Sequence, residues 1–145
     1  RLAVDQVILA GASGRTLAFA PGWVEGTMRL GQTGNGVLSG HLDTHFAWLA
    51  ELVRGDPLEL EAVDGSVRRY RVADIDVHHV SESWLLDRSA ADRLVLLTCY
   101  PFDALNPGTP WRYVVTAYPE PASVSRLAPA RYCSGSRRFK RSVLE

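Results

Sequence analysis

The chain has 145 residues, enough for one domain with its own hydrophobic core. Sixteen basic side chains balance sixteen acidic ones, which argues against a nucleic-acid-binding protein, since that class usually carries a basic excess. No apolar run reaches the length of a membrane-spanning helix, and two cysteines are too few for a disulfide framework. These features leave two classes of protein to consider, an enzyme and a binding domain.

The first half of the chain alternates short apolar segments with glycine-rich turns. Residues 4–10 predict a strand, and glycines interrupt the chain from there to residue 36. Residues 37–42 predict a second strand, which brings His41 to its end. Residues 44–53 then have the spacing of a helix. The apolar face of that helix consists of Phe46, Leu49, Ala50 and Val53.

From residue 58 the hydrophobic pattern changes to a period of two, which is typical of strands. Asp64-Gly65 is a strong hairpin signal, and we expect Glu59 and Glu61 to face Arg69 and Arg71 across it. A short helical turn follows over residues 81–88. With the strands further on, the count reaches seven or eight, and this number predicts an all-β barrel with short helices as decorations.

The most informative segment contains two strand-like runs separated by a long loop. The first run, residues 94–99, ends on Cys99, and the second, residues 111–117, carries Arg112 near its start. The loop between them contains three prolines and a glycine. It is longer than the usual hairpin loop of about two to five residues, and long ordered loops are often functional. If the two strands pair antiparallel, Cys99 lies beside Arg112 at one rim of the sheet.

A cysteine nucleophile reacts as the thiolate, and a nearby histidine can take up or stabilise its proton. Among four histidines we favour His41, which ends a strand directly after Ser39-Gly40, where glycine permits close approach of a substrate. We expect His45 to pack or cap near the site, and His78 and His79 to be solvated residues at a strand end. An arginine beside the thiol can stabilise the oxyanion of a tetrahedral intermediate.

Two other classes of site fit the same residues. His41, Asp43 and His45 have a spacing that can bind zinc or iron, with Cys99 as a further ligand. Alternatively, the chain is a noncatalytic peptide-binding β module, in which Cys99 is a core residue and the long loop is a binding edge. A metal assay tests the first alternative. Thiol alkylation tests the second, because a core cysteine resists the reagent.

The chain resembles the sortase family, the cysteine transpeptidases of bacterial cell envelopes. Ser39-Gly40-His41 is similar to the family's strand that ends in a catalytic histidine. Leu97-Thr98-Cys99 resembles the end of its Thr-Leu-Thr-Cys signature, and Arg112 follows on the next strand, as the catalytic arginine of the family does. Two residues depart from the pattern: Leu96 replaces the first threonine, and Leu42 follows the histidine where many relatives carry arginine.

The resemblance implies an eight-stranded β-barrel with one or two short helices over residues 1–120. We interpret residues 121–145, which include Cys133, as a polar and basic tail. The implied catalytic residues are His41, Cys99 and Arg112, and no cofactor or metal is expected. The residues predicted to bind substrate are Asp43, Thr98, Tyr100, Pro101 and Phe102.

The resemblance also implies the reaction and its partners. The expected substrate is a sorting signal like Leu-Pro-x-Thr-Gly, and the acyl group passes to an amine acceptor of the cell wall or of a pilin-like protein. A cysteine peptidase without transfer is the alternative. Residues 99–105 resemble the sortases of Gram-negative bacteria. Because the chain begins at Arg1 and similar proteins carry a membrane anchor, we expect an anchor outside this sequence. The expected location is the extracytoplasmic face of the membrane, which is periplasmic in a Gram-negative cell.

Overall fold

The computed structural model describes residues 4–29, 32–87, 91–103, 105, 108–121 and 137–141, the last five as backbone only. Eight strands form a closed barrel in the order β1-β2-β3-β6-β7-β5-β4-β8. The strands are β1 (Asp5–Ala10), β2 (Gly22–Trp23), β3 (Asn35–Ser39), β4 (Pro57–Glu61), β5 (Val67–His79), β6 (Arg93–Tyr100), β7 (Trp111–Pro119) and β8 (Arg137–Arg141). The predicted all-β barrel is therefore confirmed.

In the described part of the chain, three short helices flank the barrel, one more than the upper expectation. They are α1 (Gly14–Leu17) and two 3-10 helices, Ala47–Glu51 and Ser83–Leu86. The strand pairs β2–β3, β6–β7, β5–β7 and β4–β5 are antiparallel. The pairs β1–β2, β3–β6, β1–β8 and β4–β8 are parallel. The mixture of parallel and antiparallel pairs brings segments far apart in sequence to the same edge of the sheet.

Strand β6 is buried on both of its faces, which explains why its sequence is a continuous apolar run rather than an alternating one. Leu94 and Leu96 belong to the main core inside the barrel. Val95, one residue out of phase, packs on the opposite face in a second cluster. That cluster contains Val37, Leu85, Val95 and Val114, with Val24 and Leu97 packed against it. The 3-10 helix that carries Leu85 thus covers the outer face of this part of the sheet.

The segment after β3 differs from the predicted α-helix. Its helical part is a short 3-10 helix, Ala47–Glu51, in which Trp48 and Leu49 are buried. Phe46 and Leu52, which flank this helix, are buried as well, at 0 and 4 % exposure. Ala50 is exposed, and so is Val53, at 59 %. The assignment of Ala50 and Val53 to the buried face was therefore wrong, because the helix is not an α-helix and ends at Glu51, before Val53.

The hairpin predicted at Asp64-Gly65 is confirmed, since β4 and β5 are antiparallel neighbours on either side of it. Gly65 has a φ of +83°, a conformation that favours glycine. Glu59 lies opposite Arg69 and forms an ion pair with it at 3.0 Å. Arg71, in contrast, binds Glu120 at the end of β7. Only one of the two expected charge pairs forms across the hairpin, because the register places Glu61 opposite Val67.

The segment interpreted as a tail contributes one strand of the barrel. Strand β8 pairs with β1 on one side and with β4 on the other. It therefore closes the barrel through backbone hydrogen bonds between chain segments that are distant in sequence. Cys133 and most of residues 121–145 lie outside the described residues.

Candidate active site

Cys99 and Arg112 are direct cross-strand neighbours on β6 and β7. The antiparallel pairing predicted for these two strands is thus confirmed. Paired residues project to the same face of a sheet, so the thiol and the guanidinium share one surface. Cys99 is half-buried and is a free cysteine, so it is neither a core residue nor part of a disulfide.

His41 comes to the same edge through the parallel pairing of β3 with β6. Ser39 lies opposite Leu97, and the amide of Gly40 donates a hydrogen bond to the carbonyl of Leu97 at 3.2 Å. The carboxyl ends of parallel strands meet at one edge, so His41 follows β3 where Cys99 ends β6. His41 is exposed. The three residues predicted to be catalytic thus stand on neighbouring strands at one edge of the barrel.

Buried groups fix the backbone that carries His41. The hydroxyl of Thr98, which is only 2 % exposed, donates a hydrogen bond to the carbonyl of Gly40 at 2.7 Å. The amide of Phe46 donates to the carbonyl of His41 at 2.9 Å. The ring of Phe46 lies so close to Gly40 that a Cβ at that position would approach it to 2.8 Å. Only glycine fits between the histidine and this ring.

A second network anchors the turn that follows His41. The carbonyl of His45 accepts hydrogen bonds from Gln6 Nε2 at 2.7 Å and from Trp48 Nε1 at 2.8 Å. His45 therefore acts through its backbone in this turn, close to the packing role expected for it. Asp43 lies in the same turn and is exposed to solvent.

The loop before β7 holds Arg112 through one nitrogen. Its Nη1 donates to the carbonyls of Thr109 at 2.7 Å and of Trp111 at 2.8 Å. The hydroxyl of Thr109 in turn donates to the carbonyl of Tyr100, where the loop begins. Among the described residues, Nε and Nη2 of Arg112 have no hydrogen-bond partner. Two sides of the guanidinium are therefore free to bind an anionic group.

Tyr100 lies on the other face of the sheet from Cys99, because successive strand residues alternate, and Phe102 of the loop packs against the core inside the barrel. Their rings form a cluster with Tyr113, at 6.2 Å between Tyr100 and Tyr113 and 4.9 Å between Phe102 and Tyr113. Partial burial, together with the neighbouring Tyr100, raises the pKa of Tyr113. Pro101 is half-buried between the two aromatic residues. These loop residues close the end of the barrel beneath the thiol.

The described residues contain no cluster of ligands of the kind that the metal-site alternative requires. Within the described part of the chain, no three His, Cys, Asp or Glu side chains are placed to hold one metal ion. His41, Asp43 and His45 thus do not converge, although their spacing is that of a metal motif.

His78 and His79 are half-buried rather than solvated as expected. Nδ1 of His78 lies 2.8 Å from Glu82 Oε2, and its ring packs edge-on against Trp84 with centroids 5.2 Å apart. His79 packs in the same way against Trp111 at 5.2 Å. The turn after β5 thus brings the side chains of Glu82 and Trp84 against His78 at the end of the strand.

Comparison with known proteins agrees with this geometry. The family model that describes the sortase domain matches residues 1–120. The chain belongs to the sortase family. Sortase D of Bacillus subtilis strain 168 is 34 % identical to it over 84 residues, which is 58 % of this chain and 42 % of that protein.

Solved sortases share the fold. Sortase C-1 of Actinomyces oris is 30 % identical with a TM-score of 0.63, over 79 % of this chain and 64 % of the other. Sortase A of Corynebacterium diphtheriae is 26 % identical with a TM-score of 0.66, over 81 % of this chain and 56 % of the other. The chain thus spans less than two thirds of the length of each of these relatives.

The relatives are sortases of Gram-positive bacteria, so the expected resemblance to Gram-negative sortases is not supported. The loop that suggested it, residues 99–105, is too short to decide between subclasses.

In the described residues, none of the helices has the length and apolar character needed to cross a bilayer.

Several residues that shape the site carry no recognisable signal in the sequence. Gln6, Phe46 and Trp48 lie next to the His41 segment only because β1 and the 3-10 helix pack there. The helical pattern predicts burial of Phe46 but not its contact with Gly40. Thr109 is part of a proline-rich loop in which no periodicity indicates which carbonyl faces Arg112.

Proposed function

We propose that this chain is the catalytic domain of a cysteine transpeptidase that cleaves a sorting signal and transfers the acyl group to an amine. The observation that carries the proposal is the cross-strand pairing of Cys99 with Arg112, with His41 at the same edge. Membership of the sortase family supports it, since sortases act on sorting signals at the bacterial cell surface.

In the first half-reaction, the thiolate of Cys99 attacks the carbonyl carbon between Thr and Gly of a Leu-Pro-x-Thr-Gly-like signal. A C–S bond forms, and negative charge develops on the carbonyl oxygen. The free N–H groups of Arg112 stabilise this oxyanion. Protonated His41 gives its proton to the leaving glycine nitrogen as the C–N bond breaks. The products are a thioester on Cys99 and a free amine.

In the second half-reaction, an acceptor amine attacks the thioester carbon, so that a C–N bond forms and the C–S bond breaks. His41, now neutral, accepts the proton that the attacking amine loses. Arg112 again stabilises the oxyanion, and the thiolate of Cys99 is restored. The cycle needs no cofactor, because bonds are exchanged without oxidation or reduction.

Leu97 is half-buried on the outer face of the sheet, two residues before Cys99 on the same strand. Its register partner Val114 is buried in the cluster that contains Leu85, so a substrate cannot contact it. We propose that the apolar part of the signal contacts Leu97 beside the thiol. Pro101 would then line the loop side of the site and Asp43 the side of His41, while Tyr100 and Phe102 support the loop from the opposite face of the sheet.

Thr98 acts differently from the other residues predicted to bind substrate. Its hydroxyl is buried and already bonded to the carbonyl of Gly40. We therefore propose that Thr98 positions the His41 segment beside the thiol strand.

The proposed location is the extracytoplasmic face of the membrane, with a cell-wall or pilin-like amine as acceptor.

The nucleophile is tested by Cys99→Ala with Cys133→Ala as the matched control. A fluorogenic Leu-Pro-x-Thr-Gly peptide should remain intact with Cys99→Ala, because no thioester can form. Cys133→Ala should cleave it like the unaltered chain. Cleavage by Cys99→Ala at the original rate would remove Cys99 from the mechanism.

The transfer step is tested by the products formed with and without an added amine, such as a glycine peptide or hydroxylamine. A bound amine at high effective concentration competes well with bulk water for a thioester. Mass spectrometry should therefore show mainly the amine adduct at saturating amine. If the free threonine acid still predominates, the protein is a cysteine peptidase rather than a transferase.

A further inference from the structure

Arg112 has a second cross-strand neighbour besides Cys99. Strand β7 lies between β6 and β5, and His78 of β5 is the register partner of Arg112. The thiol, the guanidinium and the imidazole therefore form a row across three strands on one face of the sheet. In this row Arg112 occupies the middle position, with Cys99 on one side and His78 on the other.

The carboxylate of Glu82 lies next to His78, and each of its two oxygens accepts a hydrogen bond from the protein. Glu82 Oε2 lies 2.8 Å from His78 Nδ1 and accepts from Trp84 Nε1 at 3.2 Å. Its Oε1 accepts from the amide of His79 at 3.0 Å. The His79 amide, followed by the side chains of His78 and Trp84, lowers the pKa of Glu82 from 4.5 to about 2. Glu82 thus carries a full negative charge at neutral pH.

This charge lies beside the register partner of Arg112, since Glu82 Oε2 is 2.8 Å from Nδ1 of His78. Directly opposed residues such as His78 and Arg112 have Cβ atoms about 5 Å apart. An ionised carboxylate is the preferred partner of a guanidinium, so an available Glu82 would draw Arg112 away from Cys99. In the structure Nδ1 of His78 binds one oxygen of this carboxylate, Oε2, at 2.8 Å.

We propose that His78 is a positioning residue that keeps Glu82 from binding Arg112 and so leaves Nε and Nη2 of the guanidinium available beside the thiol strand. The inference rests on the proposed function insofar as Arg112 binds the oxyanion. It assigns a role to a histidine outside the catalytic group, and that role is exerted entirely through Arg112.

The test compares His78→Ala, Glu82→Gln and the double variant in single-turnover acylation with a Leu-Pro-x-Thr-Gly peptide. His78→Ala should lower the acylation rate about tenfold, within the range of coupling between neighbouring residues. The double variant should recover to within about threefold of Glu82→Gln, because a neutral amide no longer attracts the guanidinium. His78→Asn, whose amide can still donate to Glu82, should stay close to the original rate.

Asp76 supplies the matched control, since it lies on the same face of β5 as His78, whereas the carboxylate bound to Nδ1 of His78 belongs to Glu82. Asp76→Asn should not rescue His78→Ala, because removal of the imidazole frees an oxygen of Glu82 and not of Asp76. If His78 only supports the fold, removing Glu82 as well should lower the rate further or leave it low. Lack of rescue in the double variant would overturn the proposal, and so would an unchanged rate in His78→Ala.

A substrate-free measurement separates this inference from the proposed function. The Nε–Hε NMR signal of Arg112, assigned with Arg112→Lys, reports the surroundings of the guanidinium directly. It should shift in His78→Ala and return toward its original position in the double variant. If the signal behaves in this way but the peptide is not cleaved, the positioning role stands and the substrate assignment fails. A signal that does not move in His78→Ala refutes the positioning role whatever the activity.

Discussion

Replacing Gly40 by alanine places a methyl group against the ring of Phe46, one residue before the catalytic histidine. The added Cβ would lie 2.8 Å from Cγ and 2.9 Å from Cδ2 of that ring. Carbon atoms in good contact are about 3.5–4.0 Å apart, so the ring or the backbone must move by about 0.7 Å. Phe46 is fully buried and has little room to yield, so much of the shift should pass to the His41 segment.

The expected cost follows from overpacking, which destabilises a core by about 1–3 kcal/mol. For a domain of this size that corresponds to a fall in melting temperature of roughly 3–10 °C. A catalytic group displaced by about 1 Å can lose about 10²-fold in rate. Peptide cleavage by Gly40→Ala should therefore fall by about 10- to 100-fold at a temperature where the variant is folded.

Thermal unfolding followed by circular dichroism, and cleavage of the fluorogenic peptide, give the two measurements. Gly14→Ala is the matched control, because a Cβ at Gly14 meets nothing within 4 Å. Phe46→Leu should relieve the clash, so the double variant should be less destabilised than the sum of the single variants. If Gly40→Ala melts and cleaves like the original chain, the Phe46 ring does not constrain the His41 segment and the reasoning fails.

Three further predictions concern residues around the site. Thr98→Val should lose about 1–3 kcal/mol of unfolding free energy in urea because the buried Gly40 carbonyl loses its donor, whereas Thr98→Ser should stay close to the original. Arg112→Lys should lower the acylation rate about 10²-fold in stopped-flow measurements while alkylation of Cys99 changes little; equal acylation would remove Arg112 from oxyanion binding. The pKa of Glu82 is lowered to about 2, so its ionised form stabilises the fold above pH 4.5, and this contribution is lost as the pH falls toward 2. Glu82→Gln should therefore show a smaller loss of stability between pH 6 and pH 3, measured by urea denaturation at each pH.

The pairing of Cys99 with Arg112 could be predicted because it depends on local information. Two apolar runs separated by one loop form an antiparallel pair, and the positions of the two residues within the runs then determine the register. The parallel pairing of β3 with β6 is different, since Gly40 and Thr98 are 58 residues apart. No local pattern indicates which distant strand lies beside β3, and the family resemblance implied only that His41 acts together with Cys99 and Arg112.

Other differences have equally specific causes. The type and extent of the helix after β3 were misjudged because Phe46, Leu49, Ala50 and Val53 fit a 3.6-residue repeat, whereas the structure has a 3-10 helix that ends at Glu51 and leaves Ala50 and Val53 exposed. Strand β8 lies in a segment whose composition is polar and basic, without alternation of apolar residues. Its pairing depends on backbone groups at the open sides of β1 and β4, which the residue pattern of β8 does not encode.

The attachment of Arg112 to the preceding loop has a consequence for how the rate of such an enzyme can change. Because Nη1 binds the carbonyls of Thr109 and Trp111, the guanidinium follows any displacement of residues 109–111. The hydroxyl of Thr109 transmits movements of the other end of the loop through Tyr100. Substitutions, insertions or bound molecules that displace residues 109–111 should therefore change the reaction rate while His41, Cys99 and Arg112 themselves stay unchanged.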